Sequence, residues 1–248
     1  MTPETRLTEG ARGERLSALL AARIRAGGPI PFAEFMRECL YHPEHGYYSR
    51  RAARRRGDYY TSVDVHAIFG RLITRQLAEM WELLGSPQPF LAVESGAGVG
   101  RLAANVLNFA ARELPAFYAA TEYIAVEHSA ERRSEHANAL ASHASKARVL
   151  SRAEIPEEIP NGCIFSNELL DALPTHRVVI DGGQLREVYV GFEGGKFIEV
   201  LREPHTPAIE QYFREQGIAL PEGQQAEACL DACRWIENAG RALGRGFV

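Results

Sequence analysis

The run Phe-Leu-Ala-Val-Glu-Ser-Gly-Ala-Gly-Val-Gly-Arg at residues 90–101 constrains this chain more than any other stretch. An apolar segment leads into Glu94, then into Gly96, Gly98 and Gly100, then into a helical pattern over 101–112. Glycine lacks a Cβ, so such a turn adopts positive φ and lets a ligand lie against bare backbone. The helix that follows aims its free N–H groups back at the turn. A strand, a glycine turn and a helix in that order describe a nucleotide-cofactor loop on an α/β sheet.

Spacing separates two cofactors. The dinucleotide fingerprint is G-x-G-x-x-G, and its third glycine allows close helix–strand packing. Here Arg101 stands in that slot. A second apolar run, Tyr123–Val126, ends in Glu127, whose carboxylate can accept both hydroxyls of an adenosine ribose. Glu94 suits a cationic amino-acid moiety better than a pyrophosphate. The pattern therefore favours S-adenosyl-L-methionine over NAD, and an NAD-dependent oxidoreductase is the lesser reading.

Around this loop the chain alternates strands and helices. Helices are expected over 16–25, 32–40, 61–84, 101–112 and 130–142, and strands over 90–94, 123–127, 147–151 and 162–166. In the third helix, Thr61 and Asp64 form a capping box. Val65, Ile68, Phe69, Leu72, Ile73, Leu77, Met80, Trp81 and Leu84 mark its core stripe. The alternation implies a mostly parallel sheet with helices on both faces, and a ligand site beyond the strand C-termini. Residues 177–202 break it: Asp181-Gly182-Gly183 and Glu193-Gly194-Gly195 separate β-like runs, an inserted antiparallel meander. Segments 207–220 and 226–243 look helical. Gly246-Phe247-Val248 looks like the start of another buried strand. The expected organisation is a helical cap at 1–60 and a Rossmann-like domain at 61–248 with the meander inside it.

Composition narrows the partners. A net charge of −4 argues against nucleic acid. No apolar run is long enough to span a bilayer. Met1–Arg15 mixes three Arg with three Glu, unlike a secretory signal or an organelle presequence. The four cysteines show no disulfide framework. Cys229 and Cys233 read as apolar residues on a buried helix face, and no metal-ligand spacing stands out. These features point to a cytoplasmic home. The five arginines of Arg50–Arg56 read as a solvated loop, or as a patch that docks an acidic partner.

Ser166-Asn167-Glu168-Leu169-Leu170-Asp171-Ala172-Leu173-Pro174 follows the fourth strand. In a helical turn, Glu168 and Asp171 would share one face. Two carboxylates there can grip a planar guanidinium and leave one nitrogen lone pair free as a nucleophile. Such acids also serve simply as helix N-terminal charges. Asn167, Glu168 and Asp171 are the candidate catalytic residues.

Taken together, these blocks resemble the MidA/NDUFAF7-type methyltransferases, a branch of the class I S-adenosylmethionine-dependent enzymes. The match is carried by Pro31-Phe32-Ala33-Glu34-Phe35-Met36, His42-Pro43-Glu44-His45-Gly46-Tyr47-Tyr48 and Gly57-Asp58-Tyr59-Tyr60-Thr61-Ser62. Phe69-Gly70, the Glu94 glycine turn, Val126-Glu127 and the segment 167–174 complete it. The resemblance implies cofactor contacts at Glu94, Gly96, Gly98, Gly100 and Glu127, and a loop containing Gly57, Asp58, Thr61 and Ser62 that closes over the cofactor. It implies methylation of an arginine on a partner protein, in the manner of respiratory complex I assembly. Family members continue well past the point where this chain stops, so the last strands of the sheet are expected to be missing. That leaves room for a complementing C-terminal chain. The rival reading is a non-catalytic assembly or binding module that keeps the fold.

Overall fold

The computed structural model describes residues 9–49, 66–150 and 155–248. In chain order its elements are α1 (Glu9–Gly27), β1 (Ile30–Pro31), α2 (Phe32–Tyr41), α3 (Ile68–Leu83), β2 (Phe90–Ser95) and α4 (Arg101–Glu113). There follow α5 (Pro115–Ala120), β3 (Thr121–Val126), α6 (Ala130–Ala139), β4 (Ala147–Leu150) and β5 (Ile159–Ser166). The chain continues with β6 (His176–Asp181), β7 (Gln184–Glu193), β8 (Lys196–Arg202), α7 (Ala208–Glu215), β9 (Gln225–Ala228), α8 (Leu230–Ala242) and β10 (Leu243–Phe247). It divides into two compact units, residues 1–54 with 172–233 and residues 55–171 with 234–248.

The unit that carries the glycine turn is built on a five-stranded parallel sheet, in the order β10-β5-β2-β3-β4. Side chains alternate faces along a strand. Accordingly, Phe90 and Ala92 of β2 pack with α3, α4 and α5, against Leu77, Leu102, Val106, Leu107 and Phe117. Leu91 and Val93 point the other way, into a cluster with Ala239 and Ala242 of α8. Every residue of β2 is buried, as expected of a strand covered on both faces. This is the α/β, Rossmann-like class that the sequence implies. Gly162 of β5 is required by the crowding between strands: a Cβ there would lie 2.1 Å from the Leu91 carbonyl oxygen.

Helix α3 differs from its expected course. It starts at Ile68 behind Ala67, while Thr61, Asp64 and Val65 lie outside the described residues. Of the expected stripe, Leu77 is buried beside Gly70, Thr74 and Ala78, and Phe69, Ile73, Met80, Trp81 and Leu84 pack against the same core, whereas Ile68 and Leu72 are 54% and 59% exposed. The small residues decide this. At Gly70 the two helices come so close that a Cβ would meet the Asn105 Cβ at 2.5 Å, which turns Ile68 and Leu72 away from α4. The buried Thr74 hydroxyl donates to the Gly70 carbonyl at 2.6 Å. Thr74→Val keeps the shape and loses that bond. We expect a loss of about 1 kcal/mol, read as a fall of roughly 2–4 °C in melting temperature.

The other unit holds an antiparallel sheet, β1-β7-β6-β9, with β8 also paired to β7. Its meander is the one expected. Asp181 pairs with Gln184 and Glu193 with Lys196, so each hairpin turns on two glycines, all four at positive φ. Because β1 pairs with β7, the N-terminal segment and the meander share one sheet, whereas the sequence reading separates a cap at 1–60 from an insertion at 177–202. Leu16, Leu20 and Ile24 of α1 pack on Ile30 and Val190, and Ile209 and Phe213 of α7 on Val178 and Ala228.

The helix expected over 226–243 is corrected at its start. Gln225–Ala228 is a strand hydrogen-bonded to β6, and the helix begins at Leu230. Ala and Glu favour helix locally, so the partner strand overrides their propensity. Cys229 precedes the helix, and both it and Cys233 are half-buried rather than buried; no disulfide forms. The expected final strand is present as β10, paired parallel to β5, but it is largely exposed.

Candidate functional site

Strands β3, β2 and β5 end level, because Ser95 sits opposite both Val126 and Ser166. The next residues of the three strands, Gly96, Glu127 and Asn167, therefore emerge at one sheet edge. This is the edge where parallel α/β sheets take ligands. Glu94 lies one step inside it, with the same parity as Phe90 and Ala92, on the face covered by α3 and α4.

Glu94 is only 3% exposed, and the Tyr123 hydroxyl donates to its Oε2 at 2.7 Å. Burial pushes its pKa up to about 7; the Tyr123 hydrogen bond acts the other way, and the nearby charge of Glu127 adds to the rise. Tyr123 itself is driven well above the usual phenol range by its own burial and by Glu94.

The three glycines of the turn all have positive φ, +73°, +57° and +80° in order. The turn is pinned to β3, since the Gly96 and Ala97 N–H groups both donate to the Val126 carbonyl, at 2.9 and 3.0 Å. Gly100 then caps α4 in the left-handed conformation. The glycines differ in what surrounds them. A Cβ at Gly96 would meet Leu169 at 3.0 Å, and one at Gly100 would meet the His136 ring at 3.1 Å. At Gly98 a Cβ would meet no atom within 4 Å. Gly98 thus presents bare backbone to open space, the surface a cofactor can lie on.

Both sides of the Gly98 residue are held. Its N–H donates to Glu127 Oε2 at 2.9 Å, and its carbonyl accepts from His136 Nε2 at 2.7 Å. Glu127 Oε1 accepts the Ser129 N–H at 2.7 Å, and the Ser129 hydroxyl caps α6. Sequence reasoning singles out Glu127 but misses Tyr123 and His136. Tyr123 carried a usable signal, since its alternation along β3 places it on the same sheet face as Glu94. His136 carried none: it sits in a polar helix, yet it is 1% exposed.

After β5 the chain bends through Asn167 and Glu168 before the single 3-10 turn Leu170–Ala172. Glu168 precedes that turn, in the left-handed region at φ +53°. The expectation that Glu168 and Asp171 share a helical face is therefore corrected, although both are exposed near the same edge. Gly57, Asp58, Thr61 and Ser62 lie outside the described residues.

The arrangement is a bare glycine backbone with one buried acid beneath it and a second acid hydrogen-bonded to it. It fits a ligand that combines a ribose with a cationic amino-acid tail. Comparison with known proteins agrees. Residues 72–248 match the family model described as "Putative S-adenosyl-L-methionine-dependent methyltransferase". The chain is 32% identical over 222 residues to a protein arginine methyltransferase NDUFAF7 homolog of Drosophila melanogaster, covering 79% of this chain and 51% of that protein. It is 27% identical to human NDUFAF7, covering 90% of this chain and 55% of that one. The chain thus spans about half the length of the curated relatives it matches. A crystal structure from Burkholderia thailandensis, bound to S-adenosyl-homocysteine, superposes with a TM-score of 0.79 at 29% identity, covering 100% of this chain and 65% of that one. The curated relatives are mitochondrial proteins, which overturns the cytoplasmic home expected from the cysteines and the N-terminus. The fold, the glycine turn and the length of the family match together show that the chain belongs to this S-adenosyl-L-methionine-dependent methyltransferase family.

Proposed function

We propose that this chain binds S-adenosyl-L-methionine at the shared edge of β2, β3 and β5, and that it methylates an arginine of a partner protein. The observation that carries this reading is the register of the three strand ends. It sets Gly96, Glu127 and Asn167 side by side at the edge, with Glu94 just inside it. Glu94 is assigned the cationic amino-acid end of the cofactor, Glu127 the ribose hydroxyls, and Gly98 the close backbone approach. Once bound, the cofactor supplies a methyl group already activated on a sulfonium, and the protein supplies orientation and electrostatics.

Asn167, Glu168 and Asp171 are assigned to the arginine. Two carboxylates can hold a guanidinium by charge-assisted hydrogen bonds and fix the attack direction, which governs much of the rate of an in-line displacement. A non-glycine residue at positive φ costs about 1 kcal/mol, and such conformations cluster at functional sites. The strain at Glu168 supports its place in the site.

The names of the curated relatives support a protein substrate and the arginine chemistry. A role in complex I assembly follows from the family resemblance.

The test has two parts. Calorimetry should show binding of S-adenosyl-homocysteine and none of NADH; tight NADH binding without a response to S-adenosyl-L-methionine would end this reading. Labelled methyl transfer to a mitochondrial lysate should fall by about 100-fold or more in Glu168→Ala and in Asp171→Ala, with cofactor affinity retained. Variants that label as well as the wild type would remove the catalytic assignment. A wild type that binds cofactor yet labels nothing would favour a binding module.

A further inference from the structure

The antiparallel unit gathers three metal-binding side chains that no spacing motif announces. His176 stands on β6, Glu187 on β7, and His205 on the connection between β8 and α7. They are separated by 11 and 18 residues in the chain. The sheet register brings them together. Glu187 lies opposite Val178 of β6 and Arg202 of β8, so His176 is its diagonal neighbour and the chain leaving β8 passes close by.

Glu187 is fully buried. Its Oε1 accepts from His176 Nδ1 at 2.9 Å. Its Oε2 accepts from both His205 Nδ1, at 3.0 Å, and the His205 backbone N–H, at 2.9 Å. The two imidazoles stack with centroids 5.0 Å apart, and one potential ligand atom from each of the three residues falls within 4.8 Å of the others.

We propose that His176, Glu187 and His205 form a binding site for a divalent transition-metal ion of the zinc class. Two imidazole nitrogens and one carboxylate are a donor set zinc uses when a fourth position stays open. Here that opening lies on the His205 side, since the His205 side chain is 41% exposed against 12% for His176. Imidazole donors disfavour magnesium and calcium, which take oxygen ligands.

The geometry is close to what an ion needs. Tetrahedral zinc with bonds of about 2.0–2.1 Å sets nitrogen and oxygen ligands roughly 3.4 Å apart. His176 Nδ1 lies 2.9 Å from Oε1 of Glu187 and His205 Nδ1 lies 3.0 Å from Oε2, and the candidate ligand atoms of the three residues fall within 4.8 Å of one another, so loading turns the carboxylate and draws the two rings toward a common point. Each Nδ1 gives up its role as donor and coordinates through a lone pair, while the ring proton moves to Nε2. The backbone N–H of His205 keeps its bond to Glu187 and holds the carboxylate in place. Loading fastens β6, β7 and the chain after β8 to one another.

The test uses the full chain, stripped with a chelator and titrated with Zn2+ by calorimetry and with Co2+ by visible absorption. One equivalent should bind with micromolar or tighter affinity. The Co2+ complex should show ligand-field bands and no thiolate charge-transfer band. His176→Ala and His205→Ala should each weaken Zn2+ binding by at least about tenfold. The second is exposed enough to leave the fold intact, which circular dichroism checks. Cys229→Ser with Cys233→Ser should bind as the wild type does. Failure of the stripped chain to bind one equivalent, wild-type affinity in His205→Ala, or loss of binding in the cysteine variant would each overturn the proposal.

Discussion

Glu127→Ala should lower affinity for S-adenosyl-homocysteine by about 100-fold, roughly 3 kcal/mol. Two losses combine in this variant. The ribose loses its assigned acceptor, and hydrogen bonds to a charged group are worth about 1.5–3 kcal/mol. The Gly98 N–H also loses its partner at 2.9 Å, as does the Ser129 N–H at 2.7 Å, so the backbone on which the cofactor would lie is no longer held from that side. His136 still holds the Gly98 carbonyl. The free chain should therefore remain folded, with a melting temperature lower by only a few degrees. Glu127→Gln keeps one carbonyl oxygen as acceptor and should lose about tenfold. Calorimetry on all three proteins, alongside a thermal melt of each, reads both effects. A folded Glu127→Ala protein with wild-type affinity would show that the cofactor pocket is elsewhere.

The second large effect concerns Glu94 and pH. Its carboxyl in the folded chain titrates at about 7, against an ordinary value of 4.5. Below 4.5 the folded and unfolded chains are both protonated at this position. Between 4.5 and 7 the unfolded chain gives up the proton and the folded chain keeps it, so stability falls as pH rises through this window. Above 7 the loss is complete, and it amounts to about 3 kcal/mol from this group.

Ligand binding should run the opposite way. A cationic amino-acid tail beside Glu94 favours the ionised form, so affinity for S-adenosyl-homocysteine should rise about tenfold from pH 6 to pH 8. Below pH 7, binding should release a proton, seen as a dependence of the heat on the ionisation enthalpy of the buffer. Glu94→Gln keeps the shape and an acceptor for Tyr123. It should flatten the affinity profile, stabilise the free chain at pH 8 and weaken binding there. An affinity that stays flat across this range in the wild type would remove Glu94 from the cofactor site.

The chain by itself announced the parts of this site that depend on near neighbours. A left-handed turn at Gly96, Gly98 and Gly100 needs residues without a Cβ, and two apolar runs ending in acids can be read from period and composition alone. The paired glycines of the meander are legible for the same reason, since a two-residue hairpin states its backbone demand within the turn.

What only the tertiary structure decided concerns residues that are far apart in the chain. Gln225–Ala228 becomes a strand because β6 offers it hydrogen bonds, against its local preference. Ile68 and Leu72 face outward because Gly70 lets α3 come close to α4. His136 reaches Gly98, Tyr123 reaches Glu94, and His176 and His205 converge on Glu187, all through strand register and helix docking. Local backbone preference is written within a few residues. Burial, a shifted pKa and a converging set of ligands are set by which elements the core brings together, and no short window of sequence holds that information.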